Sequence, residues 1–382
     1  MLKPFPSRIH LSKPHMGTRE LPLAQEVFAS NWLSTVGPHL TALENHCQQQ
    51  WGLHGVALAS GTAAIHLGLK ALGVGPGDEV LVSTLTFAAS ANPIVYLGAR
   101  PIFIDSERTS WNLDPNLLSD FLARRARDNR LPKALELVHI FGQPANLKDI
   151  LAICRQYELS VLEDAAEALG ATFDGRQVGT LGDLGVFSFN GNKIITCTSG
   201  GLLVSRDRAW IEQARHWSTQ ARDPDPGNNY VHTQVGYNYR LSNLLAGIAL
   251  GQLEVLEARV AQRRAVFQRY TEAFQNLPAL APMPEAPWGR ATRWLSCFLL
   301  DAKSRHTATT LAQVLLELNI DSRPVWKPLH TQPVFRHYEA VGGAVAEDLN
   351  RRGICLPSSS NLLPQEQEFV VESVKEMLRI AG

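Results

Sequence analysis

A chain of 382 residues is long enough for two domains, and 45% hydrophobic against 19% charged residues is ordinary globular composition rather than a disordered or fibrous one. Its 36 basic and 36 acidic side chains cancel, so no global field draws nucleic acid or an anionic membrane, and neither is expected as a partner. Cys47, Cys154, Cys197, Cys297 and Cys355 form no Cys-x-x-Cys pair and sit at no zinc-like spacing from histidine, so no metal is expected; reduced thiols, no signal-peptide core and no membrane-length apolar run together read as a cytoplasmic protein.

After a Pro-containing irregular start, helical patterns run from Arg19 to Asn31 and from Pro38 to Trp51. Between them Asn31, Trp32, Leu33 and Ser34 read as loop, with Trp32 either packed in a core or lining a ligand cleft. From Val56 to about Ser205 apolar runs alternate with helical patterns. Strands are expected at Val56–Ala59, Glu79–Val82, Arg100–Ile104, Leu135–Ile140, Val161–Glu163, Val186–Phe189 and Gly201–Val204, and helices at Thr62–Ala71, Leu147–Tyr157 and Ala209–Ser218. That rhythm predicts an α/β fold with a mostly parallel sheet between helices. Ala221 to Val235, rich in Asp, Pro, Gly and Asn, reads as a loop. One long helix is expected over Ser242–Phe274, with Arg259, Arg263, Arg264 and Arg269 on a solvated face. The proline-rich stretch 277–287 breaks the composition, so residues 1–275 are taken as a large domain and 276–382 as a small α/β domain. The small domain would hold a strand at Leu295–Leu300, a helix at Thr307–Leu318, a strand around Asp321–Val325 and a terminal helix at Pro364–Ile380.

Three stretches carry chemistry. Lys193 follows Asn190-Gly191-Asn192, turn residues that permit positive φ, with apolar runs at Val186–Phe189 and Ile194–Thr196 reading as short buried strands on either side. An ammonium drawn toward apolar surroundings loses hydration, and its neutral amine is a nucleophile able to form a Schiff base; the plainer alternative is a lysine snorkelling out from a strand end. Asp164 ends an apolar strand, where open α/β sheets gather ligands, and a buried carboxylate there needs a cationic partner. Ser60-Gly61-Thr62 is a small-residue turn opening a helix, which offers N–H groups and hydroxyls to a phosphate. Phosphate cradle, strand-end Asp and turn lysine, in that order, are what pyridoxal 5'-phosphate requires: a phosphate to anchor, a ring nitrogen to keep protonated, an aldehyde to hold as an imine.

With those motifs the chain resembles the DegT/DnrJ/EryC1/StrS family of fold-type-I, pyridoxal phosphate-dependent nucleotide-sugar aminotransferases, from about Arg8 to the C-terminus. The resemblance rests on Leu11-Ser-Lys-Pro-His-Met16, Ser30-Asn-Trp-Leu33, Ser83-Thr-Leu-Thr-Phe87, Glu163-Asp-Ala-Ala-Glu-Ala-Leu-Gly170, Ser188-Phe-Asn-Gly-Asn-Lys193, Gly236-Tyr-Asn-Tyr-Arg240 and Ser322-Arg-Pro-Val-Trp-Lys-Pro-Leu-His330. It is nearest to the branch that aminates the C4 ketone of a UDP-linked 4-keto-6-deoxy-N-acetylhexosamine, the bacillosamine type. The resemblance implies that Lys193 forms the imine and shuttles the proton between donor Cα and cofactor C4′, and that Asp164 holds the pyridinium. It also implies that Glu167 reaches the ring hydroxyl, Phe87 stacks on the ring, and Gly61, Thr62 and Ser188 hold the phosphate. Asn238 would reach the phosphate of the neighbouring subunit, in a homodimer with shared active sites. Asn31, Trp32, Leu33, Ser34, Arg323, Trp326, Lys327 and His330 are the implied substrate contacts. Phe141, where the family usually has Tyr, and Thr196-Cys-Thr-Ser-Gly-Gly201, in place of Thr-Thr-Ser-Gly-Gly-Gly, are departures that leave the sugar preference open.

The expected activity is therefore transfer of an amino group from L-glutamate to that UDP-linked keto sugar, by a ping-pong course that carries the group as pyridoxamine phosphate. Amination of another nucleotide-linked keto sugar is the alternative. A sugar dehydratase is disfavoured because the family's dehydratases carry His where Lys193 stands. A non-catalytic regulatory protein is disfavoured by the intact set of Lys193, Asp164 and Ser188.

Overall fold

The computed structural model describes residues 2–227 and 229–379. Met1, Asn228 and Ile380–Gly382, which belong to the expected N-terminal segment, polar loop and terminal helix, lie outside the described residues. Eight strands form the large sheet, in the order His54–Leu58, Gly201–Ser205, Leu184–Ser188, Ser160–Asp164, Ala134–Val138, Glu79–Ser83, Arg100–Ile104 and Ala340–Val341. All are parallel except Gly201–Ser205, which runs against both neighbours. Both faces are buried, so the strands are nearly unbroken apolar runs. Leu81, Leu135 and Val161 pack into one core, and Val80, Val82 and Leu162 into the other. The helices Gly61–Ala71 and Ala88–Tyr96 cover the second face, and each starts within a few residues of a strand's carboxyl end. Ser60 caps the first, its hydroxyl accepting the Ala63 N–H at 3.0 Å.

Two expected elements differ. Ile194–Thr196 is not a strand; the chain after Lys193 is irregular until Gly201–Ser205 begins, buried over Ile194–Cys197 and exposed at Thr198 and Ser199. Its N–H groups turn to non-strand partners: Thr196 N–H donates to Gln252 Oε1 and Cys197 N–H to the Phe189 carbonyl. The helical pattern from Ser242 is two helices, Asn243–Leu253 and Leu256–Phe274, parted at Val255, whose φ −108 and ψ 7 leave the α region.

A four-stranded antiparallel sheet, ordered Leu280–Pro282, Ser296–Leu300, Gly353–Leu356 and Arg323–Pro324, holds the third core together with Phe267, Tyr270 and the helices Ala308–Glu317 and Pro364–Arg379. Ile9 joins that core and bridges Ile320, so the N-terminal segment is tied to the C-terminal part of the chain. The two-domain division at residue 276 remains our proposal. Ala340–Val341 crosses it, returning to pair with the edge strand Arg100–Ile104. Cys297 and Cys355 are partners across the small sheet with Sγ atoms 3.5 Å apart, and all five cysteines are buried thiols.

The arginines of the last long helix are not one solvated face. Arg269 is exposed and Arg264 pairs with Glu285, whereas Arg259 and Arg263 are buried. Arg263 donates to the carbonyls of Trp294 and Ser358 at 2.6 and 3.1 Å and to Ser12 Oγ at 3.0 Å. Burying a guanidinium is costly, and these acceptors offset the cost where no carboxylate does. Arg263→Met, which keeps the stem but orphans two buried carbonyls at about 1–3 kcal/mol each, is expected to lower the thermal unfolding midpoint by several degrees. An unchanged midpoint would show that those bonds contribute nothing net.

Candidate active site

At the carboxyl edge of the large sheet the loops after four parallel strands surround a cavity of about 260 Å³. Ser60, Gly61 and Thr62 arrive after His54–Leu58, Thr86 and Phe87 after Glu79–Ser83, Asp164 ends its own strand, and Ser188 ends the next. Parallel strands place all these ends at one edge, which is why residues far apart in sequence meet there. Gly61, Thr62, Phe87, Asp164, Glu167, Ser188, Lys193 and Trp326 all line the cavity. At the base of the cradle the backbone approach is close: a Cβ on Gly201 would lie 2.3 Å from the Ser60 carbonyl oxygen, so only glycine fits there.

Asp164 is 5% exposed; its Oδ2 accepts the Ser90 hydroxyl at 2.8 Å and its Oδ1 the Ala166 N–H at 3.0 Å. Thr86 and Ser90 share a further hydroxyl contact at 2.8 Å. No cationic side chain pairs with Asp164 among the described residues. Its neighbour Glu163 turns to the other face, where it accepts His139 Nε2–H at 2.9 Å and the N–H groups of Gly179, Leu181 and Gly182. Ala145 N–H donates to His139 Nδ1, which sets that tautomer. Burial raises the Glu163 carboxyl, and these donors reverse the shift and hold it below the usual carboxylate range.

Glu136 is the unexpected member. It lies on Ala134–Val138 between Val82 and Leu162, on the same sheet face as Asp164 and two residues below Val138, the partner of Asp164. It is fully buried, and neither carboxyl oxygen has a hydrogen-bond partner. Burial first, and the nearby Asp164 second, push its carboxyl well above the usual range, which favours the neutral form.

Lys193 closes a hydrogen-bonded turn, its N–H donating to the Asn190 carbonyl at 3.0 Å. The turn needs no positive φ at Asn190, Gly191 or Asn192; the left-handed residues come later, at Thr198 and Gly200. Lys193 Nζ lies 4.3 Å from the Trp294 ring centroid and 3.8 Å from Glu167 Oε1. Glu167 is buried, accepts the Phe141 N–H at 2.8 Å through Oε2 and faces Trp326 Nε1 at 3.3 Å through Oε1. Burial raises its carboxyl, against the opposing pull of Lys193. Phe141 is held at φ 52 and ψ 22, a strained backbone for a bulky residue, and stacks on both Trp326 and Trp294. Phe87 meets Trp326 at 5.5 Å, which completes an aromatic wall opposite the phosphate-type cradle.

The other expected residues stand apart within one chain. Arg323 lines an adjoining cleft, and Lys327 is exposed on the same loop. His330 is held outside the cavity: Glu347 Oε1 lies 3.1 Å from Nε2, and the Thr84 hydroxyl 2.6 Å from Nδ1. Asn31, Trp32, Leu33 and Ser34 form a surface turn, with the Trp32 and Ser34 carbonyls accepting from Asn243. Asn238 is exposed beyond a loop on which Tyr230 and Val235 are each 77% exposed.

Sequence reading missed Trp294, Ser90, Asn192 and Glu136. Trp294 is a lone aromatic before a strand, with no spacing to mark it. Ser90 had a signal, a hydroxyl one turn into a helix that opens directly after the Phe87 motif. Glu136 had one too, a carboxylate inside the apolar run Ala134–Val138.

A model of the DegT/DnrJ/EryC1/StrS aminotransferase family matches residues 14–375. EpsN of Bacillus subtilis (strain 168), named provisionally as a pyridoxal phosphate-dependent aminotransferase, is 46% identical over 96% of this chain and 94% of that protein. GDP-perosamine synthase of Caulobacter vibrioides is 35% identical over 97% of this chain and 98% of its own length. Among solved structures, the aminotransferase TlmJ from Streptoalloteichus hindustanus superposes with a TM-score of 0.87 at 28% identity, covering 97% of this chain and 99% of that one. The chain belongs to the DegT/DnrJ/EryC1/StrS aminotransferase family, whose cofactor is pyridoxal phosphate. The residues present fit that cofactor. A buried carboxylate lacks a cation among the described residues, and a helix N-terminus and the amine of Lys193 line the same cavity.

The buried Glu136 gives a stability prediction with a definite sign. A carboxyl whose folded pKa is raised is at no disadvantage below its unfolded value near 4.5, and destabilises the fold increasingly as pH rises above it. Glu136→Leu is therefore expected to be more stable than the parent by about 1–3 kcal/mol at pH 8, with the gap shrinking toward pH 4. Thermal midpoints of both proteins across that range check it, and a gap that does not change with pH would contradict it.

Proposed function

We propose that this family member transfers the amino group of L-glutamate to the C4 ketone of a UDP-linked 4-keto-6-deoxy-N-acetylhexosamine. The observation that carries the reading is the placement of Lys193 Nζ in a cavity shared with Asp164 and the start of the helix Gly61–Ala71. When bound, pyridoxal phosphate supplies an electron sink that makes the bonds at an attached amino carbon labile. The protein's own residues do the rest. Asp164, fixed by Ser90 and Ala166 N–H, offers a carboxylate to the ring N–H. Gly61, Thr62 and Ser188 hold the phosphate against the helix N-terminus. Phe87 covers one ring face. Glu167, 3.8 Å from Lys193, would balance its ammonium, and the Lys193 amine would serve as the base that takes the proton from the donor Cα and delivers it to the cofactor. Trp326 and Trp294 exclude water on the side where the sugar enters.

A second reading, a GDP-linked keto sugar, is favoured by the 35% identity to a GDP-perosamine synthase. The two separate in a single-turnover test in which aminated cofactor on the enzyme is offered each keto sugar and the return of the aldehyde absorbance is timed. Conversion with the UDP sugar alone supports the first reading, and conversion with the GDP sugar alone replaces it with the second. Lys193→Ala should lose turnover in both half-reactions, and near-parental rates would sink the assignment. Asp164→Asn should lower both rates by orders of magnitude, because an amide no longer stabilises a ring cation.

We also propose a homodimer with shared sites. Asn238 is exposed, beyond an exposed loop carrying Tyr230 and Val235, and a two-fold axis would make any contact it offers reciprocal. The surface turn Asn31–Ser34, which does not line the cofactor cavity of its own chain, would contact sugar in the partner's site. Mixing Asn238→Ala with Lys193→Ala subunits should restore part of the activity, since one of the two sites then carries neither lesion. No recovery despite demonstrated exchange would refute the shared site.

A further inference from the structure

Beside the cofactor cavity a second cleft, about 610 Å³ and open to solvent, shares three wall residues with it: Asn192, Trp294 and Trp326. Its far side is the N-terminal segment. Ser12 Oγ donates to the Asn192 carbonyl at 2.7 Å, and Trp294 Nε1 donates to the same oxygen at 2.7 Å, so the segment is fastened to the turn that carries Lys193. The buried Arg263 reaches Ser12 Oγ from behind, and Lys13 N–H donates to Ser359 Oγ at 2.9 Å. These bonds fix the backbone around Lys13 at the mouth of the cofactor cavity.

The cleft's charged and titratable members are Lys13, Arg323 and His10 against one carboxylate, Asp321. Asp321 is already engaged, 3.4 Å from Arg323 and 3.9 Å from Arg8. Lys13 makes no ion pair among the described residues. A cleft that shares two indole rings with the cavity of Lys193 and carries cations of its own suits a molecule whose reacting carbon and whose negative charge lie at opposite ends. The amino donor is too short for this; a sugar bearing a diphosphate has that shape.

We propose that this cleft is the diphosphate subsite of the nucleotide sugar, with Lys13 and Arg323 as its phosphate ligands and His10 at its rim. The inference rests on the nucleotide-sugar reading above and refines it, because it assigns the phosphates to Lys13 and Arg323 and not to Lys327 or His330, two other implied substrate contacts. His330 has both ring nitrogens occupied by Thr84 and Glu347, and Lys327 does not line the cleft.

The test is titration calorimetry of the cofactor-loaded enzyme with UDP and, separately, GDP at low and moderate salt. The parent should bind at least one of them. Lys13→Ala and Arg323→Ala should each weaken that binding about tenfold, the equivalent of about 1.4 kcal/mol, and flatten its salt dependence. Lys13→Arg should restore most of it and Lys327→Ala should change it less than twofold. Thermal midpoint and bound-cofactor absorbance, unchanged in all variants, would confirm that the fold and the cofactor site are intact. Undiminished nucleotide binding by Lys13→Ala and Arg323→Ala would overturn the subsite and leave the nucleotide-sugar reading standing. Failure of the parent enzyme to bind either nucleotide would overturn both.

Discussion

A carboxylate buried without a cation of its own sets the terms for the middle of this sheet. Asp164 is kept at the edge of the core by one hydroxyl and one amide, a partial substitute for water that leaves its charge uncompensated. The acids around it are each disposed of differently. Glu163 is sent to the opposite face and given His139 and three amides. Glu136 is denied any partner, which favours its neutral form. Glu167 is left within reach of Lys193. Four carboxyls in two adjacent segments thus have four different fates, and Asp164 is the one that lines the cavity without a cationic side chain among the described residues. The proposed role of Asp164 toward the cofactor's ring nitrogen rests on that difference.

The turn that carries Lys193 depends on contacts of long range. Lys193 is placed by a local turn, but the turn is fixed by Ser12 and Trp294, and Ser12 by Arg263. A helix about two thirds along the chain, a residue near its start and the loop carrying Trp294 meet at the Asn192 carbonyl or its supports. Such a constellation cannot be inferred from any one window of sequence.

That division explains what the sequence made legible. Seven strands of the large sheet were readable because each is a short apolar run between turn signals, whereas the two-residue Ala340–Val341 was not, and the ends of parallel strands told where Asp164, Ser188 and Gly61 would gather. Lys193 was readable from its turn, although the expected positive φ lies elsewhere. The break at Val255 was not, because helical periodicity continues across it. The buried Arg263 was missed for a related reason: an arginine's spacing on a helix says which side it leaves from, and only packing shows whether that side is wet. Trp294, Asn192 and the N-terminal contact to the turn needed the tertiary fold. Asn31–Ser34 and Asn238, which resemblance marks as site residues, stay on the surface of a single chain.

The strand Ala340–Val341 joins the small part of the molecule to the far edge of the large sheet. Nearby, Asp105 accepts the N–H groups of Gly343, Val345 and Ala346, and Leu329 N–H donates to the Thr84 carbonyl. The C-terminal part of the chain is therefore stitched to this edge of the large sheet and, through Ile9 and Ile320, to the N-terminal segment, in addition to the proline-rich connection near residue 280. A part fastened at several places has little freedom to swing about a single hinge. Even a chain cut by protease in that connection would keep its two pieces docked, and the break would escape notice until denaturant was added.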